Sequence, residues 1–277
     1  MIRLLEIEFI KLWNNRASKV LIISYFILLT SIALVAAIKF DIGPIKFHLA
    51  DIGIFNFPYI WHFNTFITAF FKLFLAIVIV SMMANEYSNK TIKQNLIDGL
   101  SKKEFILSKF LTVISFSVLS TVFVFIVSLI LGLVYSDFDE LPIIFSDLEF
   151  ILAFFVKLMG FFSFCLFLGI LVKRSAFALG FLIIWQIFEG IARGLMQWKL
   201  FDGATTDTIM GFFPLQSMFN LIKEPFTRLD AVQTVADQVG EKINLNYHVH
   251  WYEVLIVLAW TAIFIYLSYA LLKKRDL

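Results

Sequence analysis

The stretch LTVISFSVLSTVFVFIVSLILGLVY, residues 111–135, contains no charged residue. At 1.5 Å per residue a helix of that length runs about 38 Å, more than the ~30 Å hydrocarbon core of a bilayer. A strand of a membrane barrel would be ~10 residues of strict alternation, which this continuous apolar run is not. Working outward from it, five further runs reach spanning length: Val20–Ile38, Phe63–Ala84, Phe150–Val172, Ala176–Leu195 and Val254–Leu272. The composition of the 277 residues agrees, with 60% hydrophobic residues, 16% charged residues and 34 phenylalanines. Soluble domains carry roughly 45–50% apolar and about 25% charged residues. The sequence therefore predicts an all-α membrane protein, one domain over residues 1–277 with six transmembrane helices. An amphipathic interfacial helix (1–19) precedes them, a connector (85–110) follows the second span, and a long external segment (197–252) precedes the last.

Composition also excludes several classes. A disordered chain would be rich in charge and poor in aromatics. The formal net charge of +2 gives no basic field for nucleic acid. A single cysteine, Cys165, excludes an internal disulfide and a multi-cysteine zinc site. No GxxxxGK[ST], HExxH, CxxC or GxSxG motif occurs, so no catalytic residue, metal or cofactor is assigned to this chain. His248 and His250 lack the cysteines or paired carboxylates of a metal set, and His48 and His62 stand alone. Glu189 and Arg193 form E-x-x-x-R, but Phe188 stands where an intramembrane protease of the EExxxR type needs a second glutamate. The first span, preceded by a mixed-charge segment and followed by no small-residue cleavage site, does not read as a signal peptide.

Basic residues near the span ends set the orientation. Arg3, Lys11, Arg16 and Lys19 precede the first span; Lys90, Lys93, Lys102, Lys103 and Lys109 follow the second; Lys173, Arg174, Lys273, Lys274 and Arg275 complete that side. The opposite side holds Lys39, Lys46, Lys199, Lys223, Arg228 and Lys242. Both termini are predicted to be cytoplasmic.

The N-terminal segment places Ile2, Leu5, Phe9 and Trp13 near one helical face, as in a helix lying in the interface. In the connector, Ser101 followed by Glu104 is a capping box opening a helix, and Ile92, Leu96 and Ile97 make an apolar side for a shorter helix before it. In the external segment, MGFFPLQSMFNLI (210–222) is apolar but too short to span, so it re-enters the membrane or lies in its outer interface.

Lys72, Lys157, Glu189 and Arg193 lie inside apolar spans. A charge at mid-bilayer costs at least ~2.5–3.5 kcal/mol, so each needs a partner or water. Counted along the helices, Lys72, Lys157 and Glu189 lie about 9–14 Å below the outer boundary. Glu189 is expected to pair with Lys157, Lys72 or, at i+4, Arg193. The group reads either as a polar patch on a translocation path or as a structural ion pair. Gly190 and Gly194 beside it form GxxxG, a spacing that permits close helix packing.

Three features resemble the permease subunits of ABC-2 type transporters. They are the N-terminal LLEIEFIKLWNNR; the stretch NEYSNKTIKQNLIDGLSKKEFILSKFL, similar to the family's E-x-x-x-G-T-x-x-x-L-L…R-x-x-x-x-x-x-K through Glu86, Thr91, Leu96, Lys103 and Lys109; and the six-span plan. Lys90 stands where that pattern has glycine, and Gly99 where it often has proline. The resemblance implies a permease that dimerises with a like or unlike second chain, near Gly190 and Gly194 of the fifth span. It implies a separate ABC ATPase subunit that binds ATP and Mg. Glu86, Lys90, Thr91, Lys93, Leu96 and Ile97 would couple to that subunit, with the Lys173–Arg174–Ser175 turn as a second contact. It further implies an exporter in a bacterial inner membrane, in contact with lipid. The residues leave the substrate open, and a stand-alone carrier or channel, or a non-transporting scaffold of a larger machine, stays as an alternative.

Overall fold

The computed structural model describes residues 2–37, 39–42, 45–48, 53–239 and 246–275. Ile38, the expected last residue of the first span, and Lys242 lie outside the described residues. Helix α1 (Ile2–Asn14) meets α2 (Arg16–Ala37) at a bend of 94°. Asn15 sits at the corner and its side chain accepts a hydrogen bond from the Ser18 amide at 3.1 Å, capping α2. Among the described residues five helices are long and apolar enough to cross a membrane, and the bent pair α1–α2 makes a sixth if it is counted as one span. Helix α2 begins at Arg16, before the expected Val20, because the cap at Asn15 restarts the helix there.

The face of α1 differs in part from the expected one. Leu12 is buried, Leu5 and Phe9 are half-buried, and Phe9 meets Phe116 at 5.6 Å between ring centroids. Trp13 instead points outward with Ile7 and Ile10, and the Lys19 ammonium lies 4.8 Å from its ring centroid. The helix therefore has one face on the bundle and one free apolar face.

After α2 a short hairpin pairs β1 (Lys39–Ile42) with β2 (Ile45–His48), antiparallel, Phe40 opposite Phe47. The second span runs as one helical unit, Tyr59–Ser88, with a 3₁₀ turn inside it: α3 (Tyr59–Thr68) passes through Ala69–Phe71 into α4 (Lys72–Ser88). The Thr65 and Thr68 hydroxyls donate back to the carbonyls of Trp61 and Asn64, each at 2.7 Å. Such back-bonding loosens and bends a helix.

The connector carries α5 (Thr91–Ile97). Lys90 precedes it at φ +56, in the left-handed region. That is the position where the family pattern has glycine, and a side chain there costs about 1–2 kcal/mol. Gly99 has φ +97, a conformation that proline, fixed near −65°, does not adopt. Ser101 then caps α6 (Lys102–Tyr135): its hydroxyl accepts from the Glu104 amide at 3.2 Å, and its own amide donates to the Glu104 carboxylate at 2.9 Å. A one-turn helix α7 (Leu141–Ile144) leads to α8 (Glu149–Val172), the hub, which packs against α3, α4, α6, α9 and α13.

The fifth span, α9 (Ser175–Lys199), buries only the stripe Ala178, Leu182 and Glu189 and leaves most of its circumference free. Beyond it lie α10 (Gly203–Met210), α11 (Pro214–Asn220) and α12 (Asp230–Val239), then α13 (Trp251–Lys274) as the last span. Helix α1, α5, the end of α8 and the end of α13 meet at one end of the bundle, here the proximal end. Arg275 joins them there: it donates to the Tyr87 hydroxyl at 3.0 Å and to the Ile170 and Leu171 carbonyls, capping α8.

Helix α11 settles the position of the short apolar segment. It packs against α8, α9 and α13, with Leu215, Ser217 and Met218 buried. A Cβ added at Gly160 would lie 2.7 Å from Val257 and 3.2 Å from the Met218 methyl. Gly160 is about 16 Å along α8 from Glu149, so α11 enters from the distal end and dips between the spans.

Candidate functional site

At the proximal end, four charged side chains converge. Lys109, two turns into α6, is fully buried, and its ammonium lies 2.6 Å from Glu8 of α1 and 2.6 Å from Glu86 of α4. Lys11 reaches Glu86 at 3.0 Å and Glu8 at 3.7 Å. The Thr91 hydroxyl donates to the same Glu86 carboxylate, at the start of α5. Two acids and two bases are neutral together, which is what allows so many charges to leave water. Burial works against the charge on Lys11, but Glu8 and Glu86 beside it win and raise its pKa. The cluster locks α1, α4, α5 and α6 into one unit beside a polar cleft of about 340 Å³.

The six residues expected to couple to a partner therefore divide. Glu86 is buried and Thr91 half-buried, so both act behind the surface. Ile92 is buried beneath α5 and Leu96 is half-buried. Lys90, Lys93 and Ile97 face outward, Ile97 at 75% exposure. Glu8, Lys11 and Lys109 are cluster members absent from the expected set. Lys109 was counted among the loop cations, but it is an interior residue. Its signal was its place at the end of the family pattern.

At the distal end the expected ion pairs do not form. Glu189 accepts from the Trp185 indole at 2.7 Å and from the backbone amides of Leu215 at 3.0 Å and Gln216 at 2.8 Å. Those amides are the unpaired donors of the first turn of α11, and a carboxylate is their natural acceptor. Glu189 is thereby satisfied without Lys157, Lys72 or Arg193. Arg193 pairs instead with Asp207 of α10, at 2.6 Å and exposed to solvent. Lys72 lies 4.6 Å from the centroid of Phe161, and Lys157 5.5 Å from that of Phe219. Neither lysine has a carboxylate within ion-pair distance among the described residues.

Between the α3–α4 turn, α8, α9 and α11 lies a pocket of about 540 Å³, lined by Lys72, Arg193, Gln186 and Gln216 among apolar side chains. Gly190 and Gly194 sit on the free side of α9: a Cβ at either would meet nothing within 4 Å. Above the pocket, the distal cap is closed by His62, which stacks on Phe150 at 4.1 Å and shares a hydrogen bond with the Lys223 carbonyl at 2.9 Å. Arg228 lies 3.2 Å from His62 Nδ1 and 3.2 Å from Asp147. His248 is paired with Glu149 at 3.0 Å.

In sequence, residues 6–277 match the model of a family described as "ABC-2 family transporter protein". No curated protein matches the chain.

Proposed function

The chain belongs to the ABC-2 family of transporter proteins, and from that premise we propose that it is the permease subunit of an ATP-driven exporter. In this reading the chain works with a separate ABC ATPase, which binds ATP and Mg. It sits in a bacterial inner membrane with both termini cytoplasmic, and the proximal end is the ATPase-facing end. The observation that carries the reading is the cluster at Lys109. Four elements share it, and one of them, α5, presents Lys90, Lys93 and Ile97 to solvent. A force on α5 is then transmitted to α1, α4 and α6 together. Glu86, Thr91 and Leu96 hold α5 in place, and the Lys173–Arg174–Ser175 turn is a second contact.

A second permease chain, like or unlike, is proposed to pack on the free face of α9 at Gly190 and Gly194. The cargo path is proposed to pass the pocket holding Lys72 and Arg193, with Lys157 behind its wall and Glu189 fixing α11 above it.

The test is purification in mild detergent with identification of co-purifying chains. A stoichiometric Walker-motif ATPase is expected with the native chain, lost in the double variant Lys90→Glu, Lys93→Glu while the chain stays inserted and monodisperse. Retention of the ATPase by that variant places coupling elsewhere. A native chain that purifies alone favours the carrier or scaffold reading.

A further inference from the structure

The 3₁₀ turn at Ala69–Phe71 leads directly to Lys72 on the first turn of α4, in the wall of the 540 Å³ pocket. A short 3₁₀ piece inside a long helix often marks a functional position. The pocket has two kinds of wall. Phe70, Leu73, Phe161, Ile187 and Phe219 are apolar; Lys72, Arg193, Gln186 and Gln216 offer donors. Phe70, Leu73, Ile187 and Phe219 are largely exposed, so the apolar wall is accessible rather than sealed.

The charges around it do not balance. Arg193 is neutralised by Asp207, and Glu189 is occupied by the Trp185 indole and by two backbone amides at the start of α11. Lys72 has only the face of Phe161, and Lys157, 2% exposed behind Phe219, has only that ring. Two ammonium groups at membrane depth thus lack a counter-charge among the described residues. A cation in an apolar span is costly without one, and aromatic faces compensate only part of the cost. Of the two, Lys72 alone lines the pocket, where an ammonium stands beside an apolar wall, a pairing that suits an anionic headgroup carrying a hydrocarbon chain.

We propose that this pocket binds an anionic amphiphile, its phosphate or carboxylate headgroup on the Lys72 ammonium and the Gln186 and Gln216 amides, its chain along Phe70, Leu73 and Ile187. The proposal rests on the permease reading only where such a molecule is called cargo; binding itself needs no ATPase.

The experiment uses the full chain in phosphatidylcholine nanodiscs with hexadecyl phosphate carrying a diazirine in its chain. Photolabelling is mapped by peptide mass spectrometry, and co-purification of the ATPase is scored on the same preparations, so failure of one reading is separate from failure of the other. Label is expected on the Ala69–Phe71 turn, α4 and α9, competed by unlabelled hexadecyl phosphate but not by hexadecanol or inorganic phosphate. Lys72→Gln should lower it about tenfold, the scale of one charged hydrogen bond, and Lys72→Arg should keep it. Ile187→Trp, which fills the pocket without touching charge, should also abolish it and decides the matter if Lys72→Gln aggregates. Labelling indifferent to both variants overturns the site. Loss with Ile187→Trp but not Lys72→Gln, or equal competition by hexadecanol, overturns the headgroup. Equal competition by inorganic phosphate makes it a free-anion site and overturns the amphiphile.

Discussion

Lys109 and Lys11 reach the same two carboxylates from opposite situations. Lys109 has no solvent exposure; Lys11 is 41% exposed. Removing one member of a buried ion group leaves the others uncompensated and costs roughly 3–5 kcal/mol, whereas an exposed pair contributes about 0–1 kcal/mol. Lys109→Ala is accordingly expected to lower the detergent unfolding midpoint sharply and to loosen α1. Lys11→Ala also unbalances the cluster, but its 41% exposed side chain leaves a gap that water can fill, so it should shift the midpoint less. Equal shifts would mean the cluster is not the anchor of the proximal end. The sequence shows Lys109 as a cation near a span end and as the last position of the family pattern, but not its role, because its partners lie 101 and 23 residues away. Lys90 was more legible: the family pattern asks for glycine there, and the backbone is left-handed. Why this chain carries lysine instead has no explanation in the fold.

At the scale of elements, long charge-free runs made the spans readable. What stayed hidden were events inside or between them. The 3₁₀ turn at Ala69–Phe71 follows threonine hydroxyls that compete for carbonyls, which hydropathy does not register. Glu189 looked like half of a salt bridge because charge counting sees only side chains; its partners are backbone amides 26 and 27 residues on. The depth of α11 therefore depends on one carboxylate. Glu189→Ala leaves the Leu215 and Gln216 amides without their acceptor, at about 1–3 kcal/mol for each buried donor. Hydrogen exchange should show those two amides and the rest of α11 exchanging faster, with α8 and α13 unchanged. Unchanged protection of α11 would mean that side-chain packing alone holds it.

For the whole molecule, α8 is enclosed on nearly every side, while α9 stands at the edge with Phe177, Ile184, Ile187, Ile191 and Leu195 uncovered. In a bilayer this is no liability, since lipid tails are as apolar as those side chains; what matters is how closely a neighbour can approach. Gly190 and Gly194 permit close approach, and among the described residues nothing uses the space they leave. Leucine at both positions should therefore not lower the unfolding free energy of the isolated chain, since neither side chain meets a neighbour and leucine is the better helix former by about 0.5–1 kcal/mol. The same pair should shift the purified complex toward single permease chains in light scattering. A complex of unchanged mass would place the second chain on another face.

The right angle between α1 and α2 also has a consequence for synthesis. Glu8 is made 101 residues before Lys109. At about 5–20 residues per second, the nascent chain waits roughly 5–20 s before that partner exists. During the interval α1 must rest somewhere, and its Ile7, Ile10 and Trp13 face suits the bilayer surface at the insertion site. The helix is then a late-locking piece, captured when the third span emerges, and the ion cluster serves as the latch of assembly before it serves anything else.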